Sequence, residues 1–103
     1  MAKVVALYKH PASTKDFDAY YYAKHVPIAK KIPGLKRYEV SAGPVSSVQG
    51  GETPYHLAAI LTFDSVAAIA SALQAPEGQA TAADLGNFAT GGVDLLLFDT
   101  KDV

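Results

Sequence analysis

The sequence predicts an α+β fold, a ferredoxin-like β-α-β-β-α-β sandwich whose antiparallel four-stranded sheet carries both long helices on one face. Three observations predict it. The chain has 103 residues, which suits a single domain over residues 1–103. Four short segments are rich in apolar, mainly β-branched and aromatic, residues, and two segments between them repeat apolar residues at helical spacing. The order of these segments is that of the predicted sandwich.

The first two strands are expected to differ in position within the sheet. Residues 4–8 are apolar on both alternating faces, which is typical of a central strand. Residues 36–42 alternate as an edge strand would, and Gly43-Pro44 is expected to bend this strand before it continues over residues 45–48.

The last two strands, residues 55–63 and 93–98, are again apolar on both faces. Strict alternation places Tyr55 on the same face as Leu57, and His56 on the other. Since helices cover only one face of such a sheet, a monomer would leave a large apolar patch in water. The sequence therefore predicts a homodimer formed sheet to sheet.

The helices are predicted from their caps and breakers. The first helix is expected to begin near residues 14–16, after the N-cap candidate Ser13, and to stop at Pro33-Gly34. Ser65 caps a second helix that runs through about Leu73. Pro76 opens a mixed segment that extends to Phe88 and begins with a short helix.

The first helix carries unusual polar groups on its apolar side. At 100° per residue, His25 borders a stripe about 100° wide. That stripe consists of Phe17, Tyr20, Tyr21, Lys24 and Ile28. Buried phenols and imidazoles need hydrogen-bond partners, so this face predicts a lined cavity. Pro27 should kink or end the helix just past His25 and free a carbonyl that orients the imidazole.

Composition excludes several classes of function. Half of the residues are hydrophobic, 18% are charged and the formal net charge is −1, so neither a nucleic acid nor a membrane surface is an expected partner. The chain has no cysteine, which excludes disulfides, thiolate catalysis and thiolate metal sites. The three histidines show no metal-ligand spacing, so no metal and no cofactor are expected. A cytoplasmic location is expected because no secretory signal is evident.

The predicted catalytic residues are His25 and Tyr21. An imidazole exchanges protons near neutral pH, and a phenol one turn before it can bind a substrate oxygen. The alternatives are a core histidine bonded to the backbone and an aromatic core residue with its hydroxyl at the rim. One of the three consecutive tyrosines must lie largely on the surface, because consecutive positions point 100° apart.

Six further residues are predicted to line the substrate pocket on the basis of the helix face, the strand topology and a lid candidate. They are Phe17, Ile28, Tyr38, Leu61, Phe63 and Phe88. Asp84 and Asn87 could join Phe88 in the lid, although capping and packing are the more ordinary roles for them. Tyr8 and His56 are expected together at the opposite end of the sheet and rank lower, and His10 is expected to be solvated.

Two stretches resemble the EthD family of dimeric α+β barrel proteins, and the likeness runs nearly end to end. They are FDAYYYAKHVPIAKKIPGLKRYEV and APEGQATAADLGNFATGG. The resemblance implies a dimeric α+β barrel with a pocket in each subunit, and it singles out His25 of the His-x-Pro motif together with Tyr21. It links the chain to degradation pathways such as ether catabolism without naming a reaction.

The predicted function is that of a cofactor-independent enzyme acting on a small hydrophobic or oxygenated organic metabolite, of the isomerase, cyclase or monooxygenase type. The resemblance implies these types, since related barrels include such enzymes. One alternative is a non-catalytic binding or accessory protein for an oxygenase pathway. Another is a structural dimer whose cavity is filled by side chains.

Overall fold

The computed structural model describes residues 1–103 and has the predicted β-α-β-β-α-β order. The strands are β1 (Ala2–Lys9), β2 (Arg37–Val40), β3 (Tyr55–Phe63) and β4 (Val93–Asp99). They form one antiparallel sheet in the order β2-β3-β1-β4, so β1 is central and β2 is an edge strand, as predicted. The predicted continuation over residues 45–48 is wrong, because β2 ends at Val40 and an irregular loop leads to β3.

The helices are α1 (Thr14–Tyr20), a π-helical segment (Tyr21–His25), α2 (Val26–Ala29), α3 (Val66–Gln74) and α4 (Pro76–Asp84). The Ser13 and Ser65 hydroxyls cap α1 and α3, and Pro76 stands in the first turn of α4. A short 3₁₀ turn (Leu85–Asn87) follows α4. No helix has both the length and the apolar surface that a bilayer crossing requires.

The π-helical segment corrects the expectation that the helix ends at Pro27. The helix neither breaks nor ends there, because the Val26 N–H donates to the carbonyl of Tyr21, five residues back, and helix continues through Ala29. The wider turn accommodates a proline that cannot donate a regular helical hydrogen bond.

The same turn moves His25 from the border of the apolar stripe into its centre. The buried row is Phe17, Tyr21, His25 and Ala29, spaced by four residues. In a regular α-helix each such step drifts by about 40°, and the wider π turn reduces that drift. Lys24 consequently points outward and Ile28 is only half-buried, so the predicted stripe was misplaced.

A β-bulge at the start of β3 reverses two predicted side-chain directions. Leu57 pairs with Tyr8 and Tyr55 pairs with Lys9, which leaves His56 as the extra residue. Tyr55 therefore lies on the open face of the sheet, where its hydroxyl donates to Asp94, and His56 lies on the helix side.

The core fills the space between the sheet and the helices. Its aromatic part is formed by Tyr8 from β1, Phe17 and Tyr21 from the first helix, and Phe88, whose rings pack with centroids 5.3–5.7 Å apart. Phe63 and Ile69 are also fully buried. This core brings the first helix, the end of α4 and the central strands to one place.

Candidate functional site

His25 and Asp84 form a buried pair between the first helix and the end of α4. The His25 side chain is 4% exposed and the Asp84 side chain 6%, and their Nδ1 and Oδ2 atoms lie 2.8 Å apart. A carboxylate accepts hydrogen bonds, so Nδ1 carries the proton and the lone pair of the neutral ring is on Nε2. Asp84, rather than the freed carbonyl expected from the sequence, therefore orients the imidazole.

Two further donors hold the Asp84 carboxylate. The Tyr20 hydroxyl donates to Oδ1 at 2.6 Å and the Asn87 amide donates to the same oxygen at 3.0 Å. Burial alone would raise the pKa of Asp84, but the hydrogen bonds from Tyr20, Asn87 and His25 together lower it. The carboxylate is therefore ionised and fixed in direction.

The Nε2 atom of His25 opens into a cavity. It makes no hydrogen bond within the protein, yet no buried side-chain nitrogen or oxygen lacks a partner. Nε2 therefore keeps some accessible surface, and the residue that carries it lines this cavity. Burial lowers the pKa of His25 despite the opposing effect of Asp84, so the ring is neutral near pH 7.

The Tyr8 hydroxyl is a second free polar group in the same cavity. Tyr8 is 2% exposed, its hydroxyl has no protein partner, and by the same reasoning this hydroxyl must face the cavity. Burial, followed by the proximity of Tyr38 and Asp84, raises the pKa of Tyr8, so the phenol stays protonated as a donor. The expectation that Tyr8 lies away from His25 is wrong.

The cavity itself is small and apolar. Its volume is about 130 Å³, and fifteen of its eighteen lining residues are hydrophobic. An apolar cavity of about 150 Å³ is large enough to hold benzene. Leu95 and Leu97 of β4 form part of one wall and are each about half exposed, so the cavity opens along this edge.

The remaining predicted residues lie in three places. Tyr38, Leu61 and Phe63 line the cavity with His25. Phe17, Tyr21 and Phe88 belong to the buried core behind the cavity. Ile28 belongs neither to the cavity lining nor to the core.

Tyr21 is fully buried, and its hydroxyl shares a hydrogen bond of 2.5 Å with that of Tyr38. Burial raises the pKa of Tyr21, so both hydroxyls form a neutral pair. Its neighbour Tyr22 is 50% exposed and is the surface tyrosine of the run. Phe88 packs against the His25 ring, with centroids 4.6 Å apart. Tyr21 and Phe88 thus support the ring from behind.

The sequence predicted for Asp84 either a place in a lid over the pocket or, more ordinarily, a capping and packing role, and it did not predict the bond to His25. One signal was present: Asp84 is the single charged residue between Glu77 and Asp94. A lone carboxylate in an otherwise uncharged, alanine-rich segment needs a partner if it is buried.

Comparison with known families identifies the chain. The EthD domain model matches residues 9–92. The protein belongs to the EthD family. An uncharacterized 11.0 kDa protein from the thcB–thcC intergenic region of Rhodococcus erythropolis is 42% identical over 103 residues, which covers all of this chain and 98% of that protein.

Among solved structures, an EthD family protein from Bacillus halodurans is 31% identical, with a TM-score of 0.88 over 98% of this chain and 99% of its own. Two structures of lower identity show the fold alone. A dimeric ferredoxin-like protein of unknown function from Thermobifida fusca is 16% identical, with a TM-score of 0.69 over 96% and 90% of the two chains. SnoaB, a cofactor-independent oxygenase from Streptomyces nogalater, is 17% identical, with a TM-score of 0.63 over 99% and 93%.

Proposed function

We propose that this EthD protein is a cofactor-independent enzyme that removes a proton from a small hydrophobic or oxygenated organic molecule bound in the apolar cavity. The observation that carries the proposal is the Asp84-bound, neutral His25, whose free Nε2 opens into that cavity. A buried general base with an oriented lone pair is what proton abstraction at neutral pH requires.

The chemistry follows from the two free polar atoms. His25 Nε2 accepts a proton from a C–H next to a carbonyl, or from a hydroxyl, and Asp84 stabilises the imidazolium that forms. The Tyr8 hydroxyl donates to the substrate oxygen on which negative charge develops. The resulting carbanion or enolate is a common starting point for isomerisation, cyclisation and reaction with oxygen. These are the three reaction types that the family resemblance implies.

The cavity limits the substrate. A volume of about 130 Å³ suits one six-membered ring or a compact branched alkyl group, and the opening beside β4 leaves room for a substituent to project. The apolar lining favours a neutral compound with one or two oxygens. Small ketones and phenols form this class. A branched dialkyl ether has no such acidic proton, so within the proposal the link to ether degradation is to an oxygenated product of the ether rather than to the ether itself.

We also propose that the protein works as a homodimer in the cytoplasm. The open face of the sheet carries Val5, Leu7, Ile60, Leu96 and Phe98, and three of them are more than a third exposed. Such an uncovered apolar face supports association with a second copy. The neighbour from Thermobifida fusca, described as dimeric, supports the same arrangement.

Proton abstraction is tested by hydrogen–deuterium exchange. A panel of monocyclic ketones, phenols and branched ethers is first screened for binding by NMR, and exchange at the acidic C–H of the bound ketones is then followed in D₂O. Wild-type protein should accelerate exchange. The His25→Gln variant should reduce the exchange rate about 10²–10⁴-fold, which is the usual contribution of a general base. The Asp84→Asn variant should also reduce the exchange rate, because it disturbs the tautomer of His25.

His10→Gln is the matched control, because His10 lies outside the cavity and should leave exchange unchanged. Binding without accelerated exchange would favour the alternative of a non-catalytic binding or accessory protein. Failure of every compound to bind would contradict the assignment of the cavity as the site.

A further inference from the structure

We propose that three alanines, Ala6, Ala29 and Ala59, set the size limit of the cavity. They restrict the part of the substrate next to its oxygen to a single small ring or a compact branched alkyl group. All three alanines line the cavity and are at most 5% exposed. The inference rests on the proposed function, which places the substrate oxygen between His25 and Tyr8.

The floor of the cavity is the middle of the sheet. Ala6 of β1 and Ala59 of β3 pair across the two strands, on the side that faces the helices. The neighbouring cavity-lining positions on the same face of these strands carry the larger side chains of Val4, Tyr8 and Leu61. The floor is therefore lowest at the alanine pair.

The first helix and β1 run in opposite directions on the two sides of the cavity. Phe17, near the start of the helix, packs against Tyr8, near the end of β1, with ring centroids 5.4 Å apart. After the helix, the Lys36 N–H donates at 2.8 Å to the carbonyl of Thr62, and Thr62 pairs with Lys3 near the start of β1. The end of the helix therefore lies toward the start of the strand.

The alanines consequently lie on one side of the two free polar groups. Ala29 follows His25 by four residues, which is about 6 Å along the helix axis. Ala6 precedes Tyr8 by two residues, which is about 7 Å along the strand. Both steps lead toward the start of β1. An oxygen held by the two polar groups thus places the carbon skeleton between the alanine of the helix and the alanine pair of the sheet.

An unfilled space at this place lowers the stability of the protein. Protein interiors are close-packed, and an empty apolar cavity costs free energy that rises with its volume. Larger side chains, namely Val4, Ile32 and Leu61, line the cavity farther toward the start of β1. Valine in place of an alanine would fill part of the space. The alanines therefore favour ligand binding at the expense of packing.

Ligand titrations of the whole protein, followed by NMR, test the proposal with benzene, cyclohexanone and acetone. Benzene is a suitable probe because it enters apolar cavities of about this size. Ala59→Val and Ala6→Val should each weaken the binding of benzene and cyclohexanone about tenfold or more, which is the effect of one methylene group in a hydrophobic pocket. The affinity for acetone, which has no ring, should stay close to that of the wild type.

Ala58→Val is the matched control, because Ala58 neighbours Ala59 on β3 but lies on the opposite face of the sheet and outside the cavity. It should bind all three probes as the wild type does. Thermal unfolding establishes that each variant is folded. Ala59→Val and Ala6→Val should melt no lower than the wild type, since their added methyl groups enter empty space.

The outcomes separate this inference from the proposed reaction. Benzene has no oxygen, so its weaker binding to the two valine variants would support the size limit even if His25 catalyses no exchange. Accelerated exchange of cyclohexanone together with unaltered benzene affinity in both variants would overturn the size limit and leave the proposed reaction standing. The inference is also overturned if the wild type does not bind benzene, or if the valine variants unfold, because the alanines would then border no empty space.

Discussion

At the scale of single residues, burial and a charged partner act in opposite directions on the pKa of His25. Burial lowers the pKa of the imidazole, and the carboxylate of Asp84 opposes this without reversing it. The result is a neutral base that is fixed in direction by an anion. Such a combination is costly to build, since both groups leave water, and the hydrogen bonds from Tyr20 and Asn87 offset part of that cost.

This pair makes stability depend on pH. The folded state holds His25 below its reference pKa of 6.5, so near that pH the unfolded state binds more protons than the folded state. The free energy of unfolding should therefore fall as the pH drops below about 6.5, by at most about 1.4 kcal/mol per pH unit from this residue.

Urea titrations between pH 7.5 and 5 measure this dependence. His25→Gln should have a shallower slope in that range, because its side chain does not titrate. An identical slope in the variant would show that the buried imidazole is not the group responsible. Protonation of Asp84 should also lower the free energy of unfolding, at lower pH, because the pKa of this carboxyl group is lowered in the folded state.

At the scale of elements, the position of Asp84 depends on how closely α4 approaches α3. A methyl group at Gly78 would lie 2.0 Å from the carbonyl oxygen of Ala72 and 2.8 Å from the Cα of Leu73. Both contacts are with backbone, which cannot rotate away. Only glycine lets the first turn of α4 pack here, and α4 then carries Asp84 to His25.

Gly78→Ala should therefore lower the free energy of unfolding by about 1–3 kcal/mol, as overpacking does, and should weaken proton transfer as well, since it displaces Asp84. Gly86→Ala is the matched control, because its added methyl group meets nothing within 4 Å. Chemical denaturation measures the first effect and the exchange assay the second. Equal stability of the two variants would contradict the close packing of α3 and α4.

At the scale of the whole molecule, the sheet has one covered face and one apolar, uncovered face. Ile60 lies in the middle of the uncovered face, opposite Val5 of β1. Sedimentation velocity should show wild-type protein as a dimer. Ile60→Lys should shift it toward the monomer, because a charge buried in an apolar interface has no partner.

Val48→Lys, at a fully exposed loop position, should leave the dimer intact. A monomeric wild-type protein, or a dimer unaffected by Ile60→Lys, would contradict association through this face.

The sequence by itself determined the order of the elements, the central position of β1 and the family. It also placed Tyr21 on the buried face of the first helix, with His25 at the border of that face. These follow from local patterns, since strand alternation, caps and the His-Val-Pro motif are all visible within a few residues. The strands that are apolar on both faces likewise indicated an uncovered sheet surface before the fold was known.

Only the tertiary structure decided which polar groups meet. The π turn before Pro27 and the bulge at His56 each change the direction of side chains by one position, and no local pattern predicts either feature. The π turn sets His25 against Asp84, and the bulge turns His56 to the helix side of the sheet. The physical reason is that a buried polar atom is satisfied by partners distant in the chain, and only packing brings those partners within hydrogen-bond distance.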